Sequence, residues 1–216
     1  MSIPGVLVLF ASQTGNAESV AKLICNENLS SLYPAPRLMS MQAWVKQDKD
    51  LTLFAKEKHV VFVVSTTGQG DVPDNGRPFL RQLKKIEQSA GSTKPFEGVT
   101  IYSLGLGDSN YDSFNGGIKT VDRSLLALGV TRGVKAGYAD DGTSLESVVE
   151  PWRFECAEVL TKVYSHGKAA IPSRPISTST SLPPSSPGLA AFKSALSASA
   201  LATVTRKDSA SILTEE

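Results

Sequence analysis

The chain has 216 residues, of which 41% are hydrophobic and 20% are charged, and its formal net charge at neutral pH is +1. This length suits one domain with a sizeable core, and the near-neutral charge argues against nucleic acid as a partner, since a phosphate backbone is bound by a clear basic surplus. The two cysteines, Cys25 and Cys156, are too few and too far apart for a disulfide scaffold or a metal site. The first apolar run is too short for a signal sequence or a membrane span, so we expect a cytoplasmic protein with no membrane partner.

The first predicted element is a strand at residues 6–11, VLVLFA, whose wholly apolar composition is typical of a strand buried on both faces. It leads into a loop of Ser, Gln, Thr, Gly and Asn and then into a helical pattern. Such a loop can hold an anion, because the first N–H groups of a helix have no intrahelical partners and lie at its positive end. We therefore predict a phosphate site at Ser12, Thr14 and the amides through Ala17, with an ordinary helix cap as the alternative for this loop alone.

The middle of the chain repeats the pattern of an apolar strand followed by a polar loop. A weak strand at 37–41 precedes a polar stretch, 44–54, for which we expect a loop with a short helix. Residues 60–65 form a second apolar strand, and the loop after it, 65–74, is rich in hydroxyls, glycines and acids. Helical periodicity then returns at residue 79 and stops by Gly91.

A third strand is predicted at residues 100–106, followed by a polar loop, 107–115. Gly116 opens another helix that ends near Gly129. Residues 130–139 read as one last strand, and a final helix follows from about 145 to 164. Pro151 lies either in the first turn of that helix or at a kink within it.

Apolar strands that alternate with helices predict an α/β fold with a parallel sheet covered by helices on both faces. Ligands bind such sheets at the carboxyl ends of the strands, where the polar loops 12–17, 65–74 and 107–115 should converge on one ligand. We expect this domain to span 1–167. Residues 168–216 are rich in Ser, Thr, Ala and Pro, which predicts a disordered tail or linker.

The three loops together suit a flat ring that carries a phosphate, and flavin mononucleotide (FMN) fits this description. We expect Tyr111 to stack on the ring, although a half-buried rim tyrosine is the alternative. Gly68 and Gly70 would let the backbone approach the ring edge. A carbonyl at Gly68 turned toward N5 of the ring would accept a hydrogen bond, and such a turn favours glycine.

Three separated motifs give the sequence a resemblance to a known family. They are Ser12-Gln-Thr-Gly-Asn16, then Ser65-Thr-Thr-Gly-Gln-Gly-Asp71 with Pro73-Asp-Asn75, and Gly105-Leu-Gly-Asp-Ser-Asn-Tyr111 with Phe114-Asn115. Over roughly residues 5 to 165 the chain resembles the flavodoxin-like FMN domain of the diflavin reductases. The stretches 115–119, 139–141 and 145–152 look most like the methionine synthase reductase branch, and the chain is also similar to cytochrome P450 reductase.

The resemblance implies a flavodoxin-like three-layer sandwich in which a five-stranded parallel sheet has the order 2-1-3-4-5. It implies no catalytic side chain and no metal, and FMN lies over the carboxyl ends of the strands. P450 reductases have an aromatic residue where this chain has Thr67, which leaves one stacking residue. The implied cofactor-binding residues are Ser12, Gln13, Thr14, Gly15, Asn16 and Ala17 at the phosphate, Thr66, Thr67, Gly68 and Gly70 on one side of the ring, Leu106, Gly107, Asp108, Tyr111, Phe114 and Asn115 on the other, and Asp141 near the ring edge.

The function implied by the resemblance is electron transfer by an oxidoreductase of the NADPH-dependent diflavin type. The domain would pass single electrons from an FAD/NADPH reductase module to an acceptor redox protein, as a monomer. That module is missing from this chain, and residues 200–207 faintly resemble the strand that opens it. Two alternatives stay open: a docking or regulatory module that holds no flavin, and a flavodoxin-like quinone reductase. Acids of the crevice would steer a basic partner or simply form turns. They are Asp71, Asp74, Asp108, Asp112, Asp140, Asp141 and Glu146.

Overall fold

The computed structural model describes residues 4–166, and the predicted tail at 168–216 lies outside this range. Strands and helices alternate along the described part of the chain as far as β5, which is followed directly by β6. In chain order the elements are β1 (Leu7–Ala11), α1 (Asn16–Leu23), a π-helical turn (Ile24–Asn28), β2 (Arg37–Ser40), α2 (Met41–Gln47), a 3₁₀ turn (Phe54–Lys56), β3 (His59–Ser65), α3 (Arg77–Ala90), β4 (Thr100–Gly107), α4 (Gly116–Ala127), β5 (Thr131–Arg132), β6 (Gly137–Asp140) and α5 (Glu146–His166).

All strand pairs of the sheet are parallel, and the order along it is β2-β1-β3-β4-β5, with β6 also paired to β4. The predicted order 2-1-3-4-5 and the flavodoxin-like fold are confirmed. The fifth place in the sheet is shared, because β5 pairs with the amino end of β4 and β6 pairs with its carboxyl end. β6 therefore ends beside the polar loop that follows β4.

The prediction of a single strand at 130–139 is wrong, since the chain leaves the sheet between β5 and β6. The cause is the side chain of Tyr102 in β4, which is 1% exposed and lies directly against the backbone of Gly133. A Cβ at Gly133 would come within 2.2 Å of the Tyr102 ring. The chain rejoins the sheet at Gly137.

Two hydrophobic layers, one on each face of the sheet, explain the apolar runs in the sequence. Side chains of β1 alternate between the layers: Val8 packs with α1 and α5, whereas Leu9 packs with α2, α3 and α4. Because both faces are covered, the five residues of β1 are all buried. The helices therefore cover the sides of the sheet, and its carboxyl edge remains open to a ligand.

The last helix, α5, includes Pro151 in its second turn, where Pro151 is exposed. Two residues later, Arg153 is 2% exposed and donates hydrogen bonds to Asn28 Oδ1 and Glu150 Oε2, each at 2.8 Å. The bond to Asn28 ties α5 to the π-helical turn after α1, and the bond to Glu150 lies within α5. Within residues 4–166, none of the helices is both long and apolar enough to span a bilayer.

Candidate functional site

A cavity of about 500 Å³ opens at the carboxyl ends of β1, β3, β4 and β6. Parallel strands place the loops that follow them at one edge of the sheet, and here those loops enclose one space. The residues that line it are Gln13, Thr14, Asn16, Ser65, Thr66, Thr67, Gly68, Gln69, Gly70, Leu106, Gly107, Asp108, Tyr111, Ser113, Asp141 and Leu145.

The structure brings most of the candidate cofactor-binding residues into the wall of this cavity. Five of them, Ser12, Gly15, Ala17, Phe114 and Asn115, do not line it. Those that do are Gln13, Thr14, Asn16, Thr66, Thr67, Gly68, Gly70, Leu106, Gly107, Asp108, Tyr111 and Asp141.

Sequence reasoning omitted four lining residues, Ser65, Gln69, Ser113 and Leu145. The first three lie within the polar loops or at their edges, so their positions alone carried a signal. Leu145 immediately precedes α5 and is 4% exposed. An apolar residue just after the acidic turn at the end of β6 was the available clue to it.

The first loop is shaped by Ser12 and Gly15. The Gly15 N–H donates to Ser12 Oγ at 2.9 Å, and Gly15 has a left-handed φ of 99°. The Ser12 N–H donates to Asn75 Oδ1 at 2.9 Å, which joins this loop to the segment after β3. The Ser19 N–H donates to the Gly15 carbonyl at 2.9 Å. The N–H groups before Ser19, in the first turn of α1, therefore have no part in the regular bonding of the helix. They face its positive, amino-terminal end, as an anion site requires.

The second loop is a tight turn between Thr67 and Asp71. The Asp71 N–H donates to the Thr67 carbonyl at 2.8 Å, and the Thr67 N–H donates to the Asp71 carbonyl at 3.0 Å. Within this turn Gly68 and Gly70 have φ values of 54° and 102°, conformations that side chains other than glycine rarely adopt. The turn therefore presents backbone, and little side-chain bulk, to the cavity.

The second and third loops are packed directly against each other. A Cβ at Gly70 would lie 2.4 Å from Ser113 Cβ, so the backbone of the second loop touches the third. The Gly117 N–H at the start of α4 also donates to Thr66 Oγ1 at 3.4 Å. These contacts fix one wall of the cavity relative to another.

The third loop is held to the turn after β6 by a carboxylate. Asp140 Oδ1 accepts hydrogen bonds from the Ser109 N–H at 2.8 Å and the Gly142 N–H at 3.0 Å. These bonds, with Ser109 contributing most, hold the pKa of Asp140 below its ordinary value. The Asp141 N–H donates to the Gly107 carbonyl at 2.8 Å. The bonds leave Tyr111 at the rim, 65% exposed.

The five candidates outside the cavity wall support it in other ways. Ala17 is fully buried in the layer beneath α1, and the Lys119 ammonium lies 5.3 Å from the centre of the Phe114 ring. Asn115 is fully buried at the start of α4 and donates from Nδ2 to the Ala139 carbonyl at 3.1 Å. Ser12 and Gly15 shape the first loop.

The electrostatic character of the cavity is neutral to negative. Asp108 and Asp141 are part of its wall, and within residues 4–166 its lining includes neither lysine nor arginine. An anion at the first loop would therefore be held by amides and hydroxyl groups. A triphosphate with its metal usually requires a lysine, which the described wall does not supply.

Residues 8–152 match the sequence model of a protein family described as Flavodoxin. The chain belongs to the flavodoxin family. FMN is the cofactor of this family, so the predicted cofactor is confirmed. The predicted resemblance to the diflavin reductases is also confirmed by curated relatives.

Methionine synthase reductase of Caenorhabditis elegans is 38% identical over 146 residues, which cover 68% of this chain and 20% of that protein. The human methionine synthase reductase is 37% identical, with the same coverage of 68% and 20%. NADPH-dependent diflavin oxidoreductase 1 of Danio rerio is 36% identical over 70% of this chain and 24% of that protein. The chain thus spans about a fifth of the length of the curated relatives it matches.

Solved flavodoxin structures resemble the fold. A cysteine-to-alanine mutant of flavodoxin from Pseudomonas aeruginosa superposes with a TM-score of 0.57 at 28% identity, covering 73% of this chain and 99% of that one. A flavodoxin from Streptococcus pneumonia TIGR4 gives a TM-score of 0.58 at 23% identity, covering 74% of this chain and 99% of that one. Because the second structure is only 23% identical in sequence, its similarity supports the fold alone.

Proposed function

We propose that this domain holds FMN in the cavity and passes single electrons from an FAD/NADPH reductase module to an acceptor redox protein. The observation that carries the proposal is the composition of the cavity wall. The wall runs from the amino end of α1, beside the Ser12 loop, to Tyr111 and the glycine turn at 67–71. A cavity of about 500 Å³ with these walls suits one flat, phosphate-bearing ligand.

The phosphate of FMN would be held at the first loop. The chemistry of the donors fits a single terminal phosphate, since first-turn amides of α1 and the hydroxyl of Thr14 lie at the positive end of the helix. Ser12 would contribute indirectly, because its Oγ fixes Gly15 through the 2.9 Å bond from the Gly15 N–H.

The ring would lie between the second and third loops. Tyr111 would stack on one face of it, and the backbone at Gly68 and Gly70 would approach its edge. Thr67 would supply a small polar contact opposite Tyr111. Asp141 would lie near the ring edge, where its negative charge disfavours the addition of electrons.

FMN supplies chemistry of one or two electrons when it is bound. The residues of this chain would bind it, orient it and limit the access of water. No side chain of the cavity wall is required as a nucleophile or a general base in this function.

The partners follow from the relatives and from the charge of the rim. The match covers only about a fifth of the length of the methionine synthase reductases. This supports a role as the FMN part of such a reductase, either within a longer chain or as a separate protein that works with the FAD/NADPH module. Acidic side chains around the cavity would steer a basic face of the acceptor or of the reductase module. We also propose a methionine-synthase-reductase-like role, a monomeric state and a cytoplasmic location.

The experiment that tests FMN binding is a titration of the apoprotein with FMN, riboflavin and FAD, followed by flavin fluorescence. We expect one FMN per chain and an affinity for riboflavin lower by about a hundredfold, because riboflavin lacks the phosphate and its two or more charge-assisted hydrogen bonds. A colourless protein that takes up no FMN would contradict the proposal and favour a docking module. Equal affinity for FMN and riboflavin would contradict the phosphate site.

A reductive titration of the FMN-loaded protein tests the electron-transfer role. A single-electron shuttle accepts reducing equivalents in two separate one-electron steps. A quinone reductase accepts them in one two-electron step, and that result would overturn the proposed role while leaving FMN binding intact.

A further inference from the structure

Asn115 is a buried polar residue with an unusual backbone, and it lies just outside the cavity. It is fully buried, it precedes α4, and its φ of 55° is left-handed. Asparagine is among the few residues other than glycine that tolerate this conformation. The Lys119 N–H donates to the Asn115 carbonyl at 3.2 Å, which begins the regular bonding of the helix. The left-handed turn directs the Asn115 side chain back beneath β4.

The Asn115 amide lies between three elements. Its Nδ2 donates to the Ala139 carbonyl in β6 at 3.1 Å. The amide also lies against the backbone of β4, since a Cβ at Gly105 would come within 2.4 Å of Asn115 Oδ1. A single side chain thus joins the start of α4 to both neighbouring strands beneath the cavity.

This arrangement is a poor source of stability. Asn115 Oδ1 is buried and has no hydrogen-bond partner among the described residues. An unpartnered buried oxygen costs free energy, roughly 1–3 kcal/mol in proteins, which offsets the gain from the one bond that Nδ2 makes. An apolar side chain would fill the same space at lower cost, but it would not bind the Ala139 carbonyl.

The bond connects the third loop to the turn after β6, and both contribute to the cavity wall. Asn115 is the last residue of the third loop, which carries Tyr111, and Ala139 precedes the turn that carries Asp141. The bond from the Ser109 N–H to Asp140 joins the same parts at the exposed rim, and the backbones of β4 and β6 pair directly as far as Gly107 and Asp140. Asn115 adds a buried side-chain bond between the end of the third loop and β6.

We propose that Asn115 is a positioning residue that fixes the separation of the Tyr111 wall and the Asp141 wall through its bond to Ala139, without contacting the ligand. The role rests on the proposed binding of FMN. It differs from the direct contact that the family resemblance implies for this residue.

The test compares Asn115→Gly with Asp122→Ala. Glycine keeps the left-handed backbone at 115 and removes only the amide. Asp122 is a matched control, because it is also a buried polar residue of α4, 2% exposed, and its partners Ser103 and Arg132 lie away from the cavity. The measurements are amide hydrogen exchange of the apoproteins, thermal unfolding, and the dissociation constant for FMN.

We expect Asn115→Gly to speed the exchange of amides at 139–145 and 108–112 by about tenfold and to raise the FMN dissociation constant by a similar factor, as the loss of one buried hydrogen bond predicts. Asp122→Ala should lower the unfolding temperature and change neither quantity. Unchanged local exchange and FMN affinity in Asn115→Gly would overturn the proposal, as would equal effects in Asp122→Ala.

A second variant keeps the test decisive. If Asn115→Gly does not fold, Asn115→Leu has a side chain of similar size and cannot donate to the Ala139 carbonyl. The same local exchange is expected of it, and wild-type exchange would overturn the proposal. Hydrogen exchange is measured on the apoprotein, so its result does not depend on FMN binding. If wild-type protein binds no FMN, the proposed function fails, but the exchange result still tests the role of Asn115.

Discussion

Gly68 and Gly91 both have a positive φ, 54° and 55°, although Gly68 lies in the cavity wall and Gly91 follows α3, where its ψ is −120°. Both positions also have space for a side chain. A Cβ at Gly68 would approach only Asp71 Oδ2, at 3.9 Å, and a Cβ at Gly91 would have no atom within 4 Å. The two glycines therefore form a matched pair that separates backbone strain from effects on the ligand.

Alanine at either position should lower the free energy of unfolding, by about 1–2 kcal/mol for the positive φ at Gly68 and by more at Gly91, whose ψ of −120° lies in a region that only glycine adopts readily. Chemical unfolding of the apoproteins measures this. Only Gly68→Ala should also narrow the gap between the two one-electron potentials of bound FMN, by roughly 90 mV, since a loss of about 1 kcal/mol of a backbone hydrogen bond shifts the two potentials by about 43 mV each in opposite directions. FMN affinity should change little. An unchanged gap would exclude a ligand-facing carbonyl at Gly68.

Tyr111 and Tyr33 provide a second matched pair. Both tyrosines are largely exposed, at 65% and 75%, but only Tyr111 lines the cavity. Tyr111→Ala should weaken FMN binding by about tenfold, because stacking of an aromatic side chain on a planar ring contributes about 1–3 kcal/mol. Tyr33→Ala should leave the dissociation constant unchanged. If both variants bind FMN as tightly as wild-type protein, Tyr111 is a rim residue without a stacking role.

The charge of Asp141 should influence the potential of the bound cofactor. Asp141 lines the cavity and is exposed, so its carboxylate repels each added electron, and solvent weakens that repulsion. Asp141→Asn should raise the midpoint potential by roughly 10 mV or a few tens of mV, with a smaller rise at high salt. Glu155→Gln is the control, because Glu155 is an exposed acidic residue of α5 that does not line the cavity. An equal rise in that control would mean that net charge alone is responsible.

Much of the fold was predictable from sequence because its strands are buried on both faces. The apolar runs at β1, β3 and β4 predict strands whose ends carry the polar loops. The division between β5 and β6 was not predictable, because it arises from contact between Gly133 and the Tyr102 ring, residues that are distant in sequence. Such a contact leaves no local pattern.

The candidate site was predictable to the extent that loops after parallel strands share one edge. The direction of each side chain within those loops was not. Asn115 belongs to the third motif, yet its left-handed backbone turns the side chain beneath β4 and away from the cavity. Leu145 lies in the wall although it is 4% exposed, and its place after the acidic turn was the one local clue to it.

A pH-dependent contribution to stability is expected from His59 at the amino end of β3. Its Nδ1 lies 3.2 Å from the Tyr102 hydroxyl, and its ring packs edge-on against Tyr164, with the centroids 5.7 Å apart. Burial, followed by the nearby charge of Lys58, lowers the pKa of His59 below its ordinary value of 6.5. The folded protein therefore favours neutral His59, whereas the unfolded chain binds a proton at the ordinary pKa.

Between the lowered pKa and 6.5 the unfolded state binds more protons, so stability rises with pH across this window. The contribution of His59 is fully present above pH 6.5 and is lost as the pH falls through the folded-state pKa. Asp122 makes a contribution to the pH dependence of stability that has the opposite sign, because burial raises its pKa above the ordinary value of 3.8. That contribution begins at a pH near 3.8. The difference between the wild-type and His59→Gln profiles removes that background.

Urea unfolding of the apoproteins between about pH 5 and pH 8 measures the two profiles. We expect the His59→Gln profile to be flatter than that of wild-type protein below pH 6.5. His166→Gln is the natural control, because His166 is the other of the two histidines in the chain. Equal slopes for wild-type protein and His59→Gln would show that the buried imidazole does not set the pH dependence. A flatter profile in His166→Gln instead would assign the effect to the end of α5.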